Sequence, residues 1–169
     1  MRIGKPEMRI LGLVSGILLL FSSASGARDL DLHALWDNRC AECHGHSAEF
    51  ARKYLKITGG LLQGRHHLLD LHRFLEHHYP PAGQVDAIYQ MLLAQTSTPP
   101  RFRDECAQCH GNAADFLRDA MDFKDGKLTV RRSGSPVQQF LQSHRDLAQD
   151  DILFYLGLFT RLAKEIYRP

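Results

Sequence analysis

A six-residue motif occurs twice in this chain at a fixed separation, and that repetition limits the fold more than any bulk property does. Cys40-Ala41-Glu42-Cys43-His44-Gly45 returns as Cys106-Ala107-Gln108-Cys109-His110-Gly111, 66 residues further on. The same offset, without a gap, places Ala48 on Ala114, Phe50 on Phe116, Arg52 on Arg118, Gly60 on Gly126, Leu62 on Leu128 and Arg65 on Arg131. It runs on through Phe74-Leu75 and Phe140-Leu141, His78 and His144, and Tyr89 and Tyr155, while upstream Trp36 meets Phe102. A constant offset over such a span reads as tandem duplication of one small unit. Thr96-Ser97-Thr98-Pro99-Pro100 is expected to break any helix between the copies. The division is therefore a first unit over 28–95, a linker over 96–101 and a second unit over 102–169.

Residues 1–27 stand outside the repeat. Arg2, Lys5 and Arg9 give a basic start, Ile10 to Phe21 is uncharged and apolar, and Ser22 to Ala27 are small. This is the pattern of an export signal with its cleavage site. The apolar run is shorter than the roughly 20 residues of a bilayer span, which makes an uncleaved anchor the lesser alternative. Taking Arg2, Lys5, Arg9 and Glu7 away from 21 basic and 19 acidic residues leaves 18 of each. A neutral chain with no block of like charge offers no stripe for nucleic acid, and none is expected as a partner. The 44% apolar and 24% charged balance is that of a globular chain and excludes a disordered or collagen-like one. Ten histidines are a surplus that asks for a chemical reason.

The doubled Cys-x-x-Cys-His carries the chemistry. Its spacing sets two thiols and an imidazole around one helical turn, where the thiols can add to the vinyl groups of a haem and the histidine can bind its iron. On this reading Cys40, Cys43, Cys106 and Cys109 are thioether anchors of two haem c groups, and His44 and His110 are iron ligands. Two alternatives compete. The four cysteines could converge on one zinc ion, which leaves the adjacent histidines unexplained. Each pair could also be a redox dithiol, which again gives the histidine no task. Export favours haem, because bacterial haem attachment takes place outside the cytoplasmic membrane.

With these motifs the chain resembles the c-type cytochromes, and the resemblance covers both repeats from Trp36 to about Arg161. It implies an all-α fold of two tandem, small, class I-like helical domains, each around one covalently bound haem. Leu30 to Arg39 reads as the leading helix, and Val85 to Leu93 and Asp150 to Ile166 as the closing helices. The family most often places a methionine ahead of the closing helix, and neither repeat has one there. In the second repeat His144 occupies that place, while Met121 follows His110 too closely and reads as packing. The offset then selects His78 in the first repeat from a field that includes His46, His66, His67, His72 and His77, with His77 the runner-up. Met91, between Ile88 and Leu92, reads as core.

Two imidazoles per iron imply a low-spin centre with a filled coordination sphere, a lower potential than with methionine, and electron transfer in preference to catalysis. The expected function is a periplasmic dihaem carrier working between a protein donor and a protein acceptor, in association with a membrane-bound or periplasmic oxidoreductase. A haem enzyme with a displaceable distal histidine, and a subunit of a larger complex, are the other readings. The apolar closing helix from Ile152 to Phe159 suggests the latter. Arg65 and Arg131 end the repeated Gly-x-Leu-x-x-Arg and are either propionate partners or solvent-facing residues closing a hairpin. Phe50, Phe116, Phe74 and Phe140 read as packing around the cofactor. Units of this size lie near the lower limit for an autonomous core, so the apo-chain is expected not to fold.

Overall fold

The computed structural model describes residues 1, 30–64, 70–78 and 83–168. Residues 2–29, on which the expected export signal falls, and Arg65, His66, His67, Pro80 and Pro81 lie outside these residues. Among the described residues, no helix is long and apolar enough to cross a membrane.

The first unit runs α1 (Leu32–Arg39), α2 (Ala41–His44), α3 (Ser47–Tyr54), β1 (Leu55–Thr58), β2 (Leu61–Gly64), α4 (Leu71–Leu75) and α5 (Val85–Ser97). The second repeats that order as α6 (Arg101–Glu105), α7 (Ala107–His110), α8 (Ala113–Ala120), β3 (Met121–Lys124), β4 (Lys127–Val130), α9 (Val137–Gln142) and α10 (Gln149–Ile166). Both strands, α2 and α3 recur at the 66-residue offset without a shift. The duplication is therefore one of structure as well as of sequence.

The all-α expectation is corrected here: the chain is mostly helical, but each unit carries an antiparallel hairpin. Thr58 faces Leu61 and Lys124 faces Lys127, so each turn has two residues. Gly59-Gly60 and Asp125-Gly126 fill them with positive φ at both positions, the turn whose twist suits a hairpin. The linker is also shorter than its composition implies. Helix α5 continues through Thr96 and Ser97, because the hydroxyls of Thr96, Ser97 and Thr98 donate to the carbonyls of Leu92, Leu93 and Ala94 at 2.6–3.1 Å. Local hydroxyl bonds of this kind satisfy the carbonyls that a helix end exposes.

Each unit has its own core. Leu32, Trp36, Leu62, Met91 and Leu92 centre the first, and Leu117, Met121, Val137, Tyr155 and Phe159 the second. Both methionines read as packing are thus buried, at 1% exposure each. The units meet where the start of α1 docks on α8 and α10. The Leu30 amide donates to the Arg168 carbonyl at 3.0 Å, His33 Nε2 lies 2.8 Å from Glu165 Oε2, and Arg118 Nε donates to Asp31 Oδ2 at 2.7 Å.

Asp31 also caps α1, accepting from the His33 and Ala34 amides. Burial pushes its carboxyl up, but Arg118 and the Ala34 amide outweigh this and leave it below the ordinary carboxylate range. A depressed folded pKa stabilises the protein above the unfolded value of about 4, and the benefit disappears as pH falls through the folded value. Asp31→Asn keeps a competent cap but loses the charge. The stability gap between wild type and this variant, read from urea midpoints, should be constant above about pH 5 and shrink below about pH 4.

Candidate functional site

The two motifs form short helical turns. Cys40 donates to the Trp36 carbonyl at 2.8 Å and His44 to the Cys40 carbonyl at 2.9 Å; Cys106 and His110 repeat this at 2.9 and 3.1 Å. Gly45 and Gly111 end the turns with φ of 66° and 69°, a region that L side chains rarely enter. Trp36 Nε1 donates to the Gly45 carbonyl at 2.8 Å and ties the end of the first turn to α1. All four cysteines are free thiols: Cys40 and Cys106 half-buried, Cys43 and Cys109 exposed. Burial pushes the Cys40 thiol up, which keeps it protonated.

The partner histidines come from the turn that follows α4 or α9. The His78 amide donates to the Leu75 carbonyl at 3.1 Å, and the His144 amide to that of Leu141 at 3.2 Å. These turns carry each imidazole back over its motif. The His44 and His78 ring centres are 5.9 Å apart at 61°, and those of His110 and His144 are 5.9 Å apart at 52°. Phenylalanines back both pairs. Phe74 stacks on His78 at 4.6 Å and Phe140 on His144 at 4.9 Å. Phe50 lies 4.7 Å from His44, and Phe116 lies 4.5 Å from His110. Each unit thus holds a Phe–His–His–Phe column of rings. Burial, with His78 beside it, lowers the pKa of His44; burial, with His110 and Arg145, lowers that of His144. Both shifts favour the neutral imidazole, the form that ligates a metal.

The other sequence candidates are placed elsewhere. His77 is exposed. His72 lies 2.6 Å from Asp86 and 5.5 Å, ring to ring, from Tyr89. Arg131 spends its guanidinium on Asp122 at 2.9 Å and on the Met121 carbonyl at 3.0 Å, within its own hairpin. His33, to which the sequence assigned no task, is 5% exposed and bound to Glu165 across the unit boundary. No local signal marks that pair, whose members are 132 residues apart. Tyr155, the counterpart of Tyr89, donates to Glu105 Oε2 at 2.6 Å, and burial together with Cys106 and Glu105 raises its pKa.

No protein-family model, curated protein or solved structure matches this chain. Among the described residues, no group of three or more His, Cys, Asp or Glu side chains could hold a metal ion. The resemblance to the tandem class I-like c-type cytochromes is therefore corrected: there is neither a family match nor a preformed cluster of metal ligands, and the hairpins depart from the helical pattern it implied. The four-thiolate zinc alternative fails on the same finding. What the fold does assemble is smaller, namely two imidazole rings with centres 5.9 Å apart in each unit.

That pair suits a metal which brings its own equatorial ligands. Two imidazoles binding one metal at about 2 Å, with roughly 1 Å from nitrogen to ring centre, separate their ring centres by about 6 Å. A porphyrin iron asks the chain for axial donors only. The thiols of Cys43 and Cys109, next to His44 and His110 in the chain, are exposed, and the phenylalanines supply apolar flanks.

Proposed function

We propose that this chain is an exported electron carrier holding two covalently attached haem groups, one in each unit. The observation that carries the reading is the pair of facing imidazoles at the same 5.9 Å spacing in both units, each built on a Cys-x-x-Cys-His turn. When bound, each haem supplies an iron centre that gains and loses one electron.

The chain's part is to hold that centre still. His44 with His78 in the first unit, and His110 with His144 in the second, would hold the iron, and an iron held by two imidazoles would favour electron passage over bond-making. The stacked Phe74 and Phe140 hold the His78 and His144 imidazoles in orientation, which would keep the same residues on the iron. Cys40, Cys43, Cys106 and Cys109 would form the thioethers, and the exposure of Cys43 and Cys109 supports an anchor near the surface, within reach of a protein donor or acceptor. The basic, then apolar, amino terminus supports export, and a periplasmic location would suit haem attachment outside the cytoplasm.

The test is the mass of the full-length protein made in cells equipped for haem attachment. Two haem additions per chain and no free thiol are expected. An unmodified chain with four titratable thiols would overturn the reading.

A further inference from the structure

Between the two units lies a cavity of about 340 Å³, within the range of small-ligand sites. None of the eight cysteines and histidines assigned above to the haem groups lines it. Its walls are apolar where Phe102 and Leu158 line it, and polar where Gln95, Arg52, Arg103 and the acidic Glu49 do.

Two of these residues are left unsatisfied. Gln95 is 3% exposed; its Nε2 donates to Ser47 Oγ at 3.0 Å, but its Oε1 has no hydrogen-bond partner among the described residues. A buried acceptor without a donor is destabilising and marks a position where a donor fits. Arg52 is half-buried and makes no hydrogen bond or ion pair among the described residues. Its counterpart Arg118 is held by Asp31 and Asp115. The 66-residue offset puts Ser97 in the place of Asp31, so the first unit has no carboxylate to match it. Glu49 influences Arg52 only at longer range, and Arg103 nearby adds a second positive charge while donating to Asp104 at 2.8 Å.

We propose that this cavity binds a small hydroxycarboxylate, its carboxylate on the Arg52 guanidinium and its hydroxyl donating to Gln95 Oε1. The arrangement supplies for the first unit the carboxylate contact that Asp31 supplies for the second. It is independent of the haem proposal, since none of the cysteines and histidines proposed to hold haem lines the cavity.

Titration calorimetry on the purified full-length protein tests it, with lactate as probe and propionate as the same skeleton without the hydroxyl. Lactate should bind at least about fivefold more tightly than propionate, as expected for one satisfied buried acceptor. Arg52→Gln should abolish binding of both, and Gln95→Met should erase the preference for lactate. Equal binding of the two acids, binding unchanged in Arg52→Gln, or no heat with either acid would overturn the proposal; the last would mean water alone fills the cavity. Arg52→Gln tests the site even if the buried Gln95 variant fails to fold.

Discussion

Replacing Cys106 and Cys109 together by alanine is expected to halve the haem content, from two groups per chain to one, and to unfold the second unit. On the proposed reading, thioethers would hold the group even when a histidine dissociates, whereas two imidazoles alone would hold it reversibly. The structural loss follows from size. A unit of 66 residues is near the lower limit for an autonomous core, and Cys106, Phe116 and Phe140 remain only partly buried around the second core. On the proposed reading, an apolar porphyrin among them would add the missing buried surface. The measurements are haem per chain and helical circular dichroism. The first should fall by half, and the second by about the helical share of α6 to α10. Full helix content with a cooperative native-like melt would show that the unit does not depend on its cofactor. Cys40→Ala with Cys43→Ala should do the same to the first unit.

Glu165→Ala is expected to cost about 3 kcal/mol, a larger effect than that of any surface charge. Glu165 is 8% exposed and accepts from Arg161 Nη1 at 2.7 and 2.9 Å while contacting His33 Nε2 at 2.8 Å. Removing it strands a guanidinium and a buried imidazole together. It also cuts a tie between α1 and α10, so the units should separate more easily as well as unfold more easily. Glu165→Gln retains one acceptor and should cost about 1 kcal/mol. Urea denaturation gives both values; a loss under about 0.5 kcal/mol in the alanine variant would mean that the boundary pair contributes nothing.

What the sequence made legible was whatever repeats or alternates locally. The offset located both motifs and paired His78 with His144, and the fold carries both residues to equivalent places opposite His44 and His110. Helices α1, α5 and α10 followed from apolar periodicity. The hairpins enter the sequence reading only as one alternative for Arg65 and Arg131, because strands of four residues are too short for alternation to outweigh a helical expectation. Helix α5 overran its expected end because hydroxyl-to-carbonyl bonds offset the poor helix propensity of Thr96 and Ser97. The contacts between the units, His33 with Glu165 and Asp31 with Arg118, lie 132 and 87 residues apart. No pattern along the chain encodes how two copies pack, so the boundary, with its unsatisfied Arg52 and Gln95, was visible only in three dimensions.

The claim that each unit clasps one haem between two imidazoles is tested most directly by the electron paramagnetic resonance spectrum of the oxidised full-length protein. The account predicts two low-spin signals of the bis-imidazole type and no methionine-to-iron band in the matching optical spectrum. A high-spin signal at either site, or a methionine band, would contradict it.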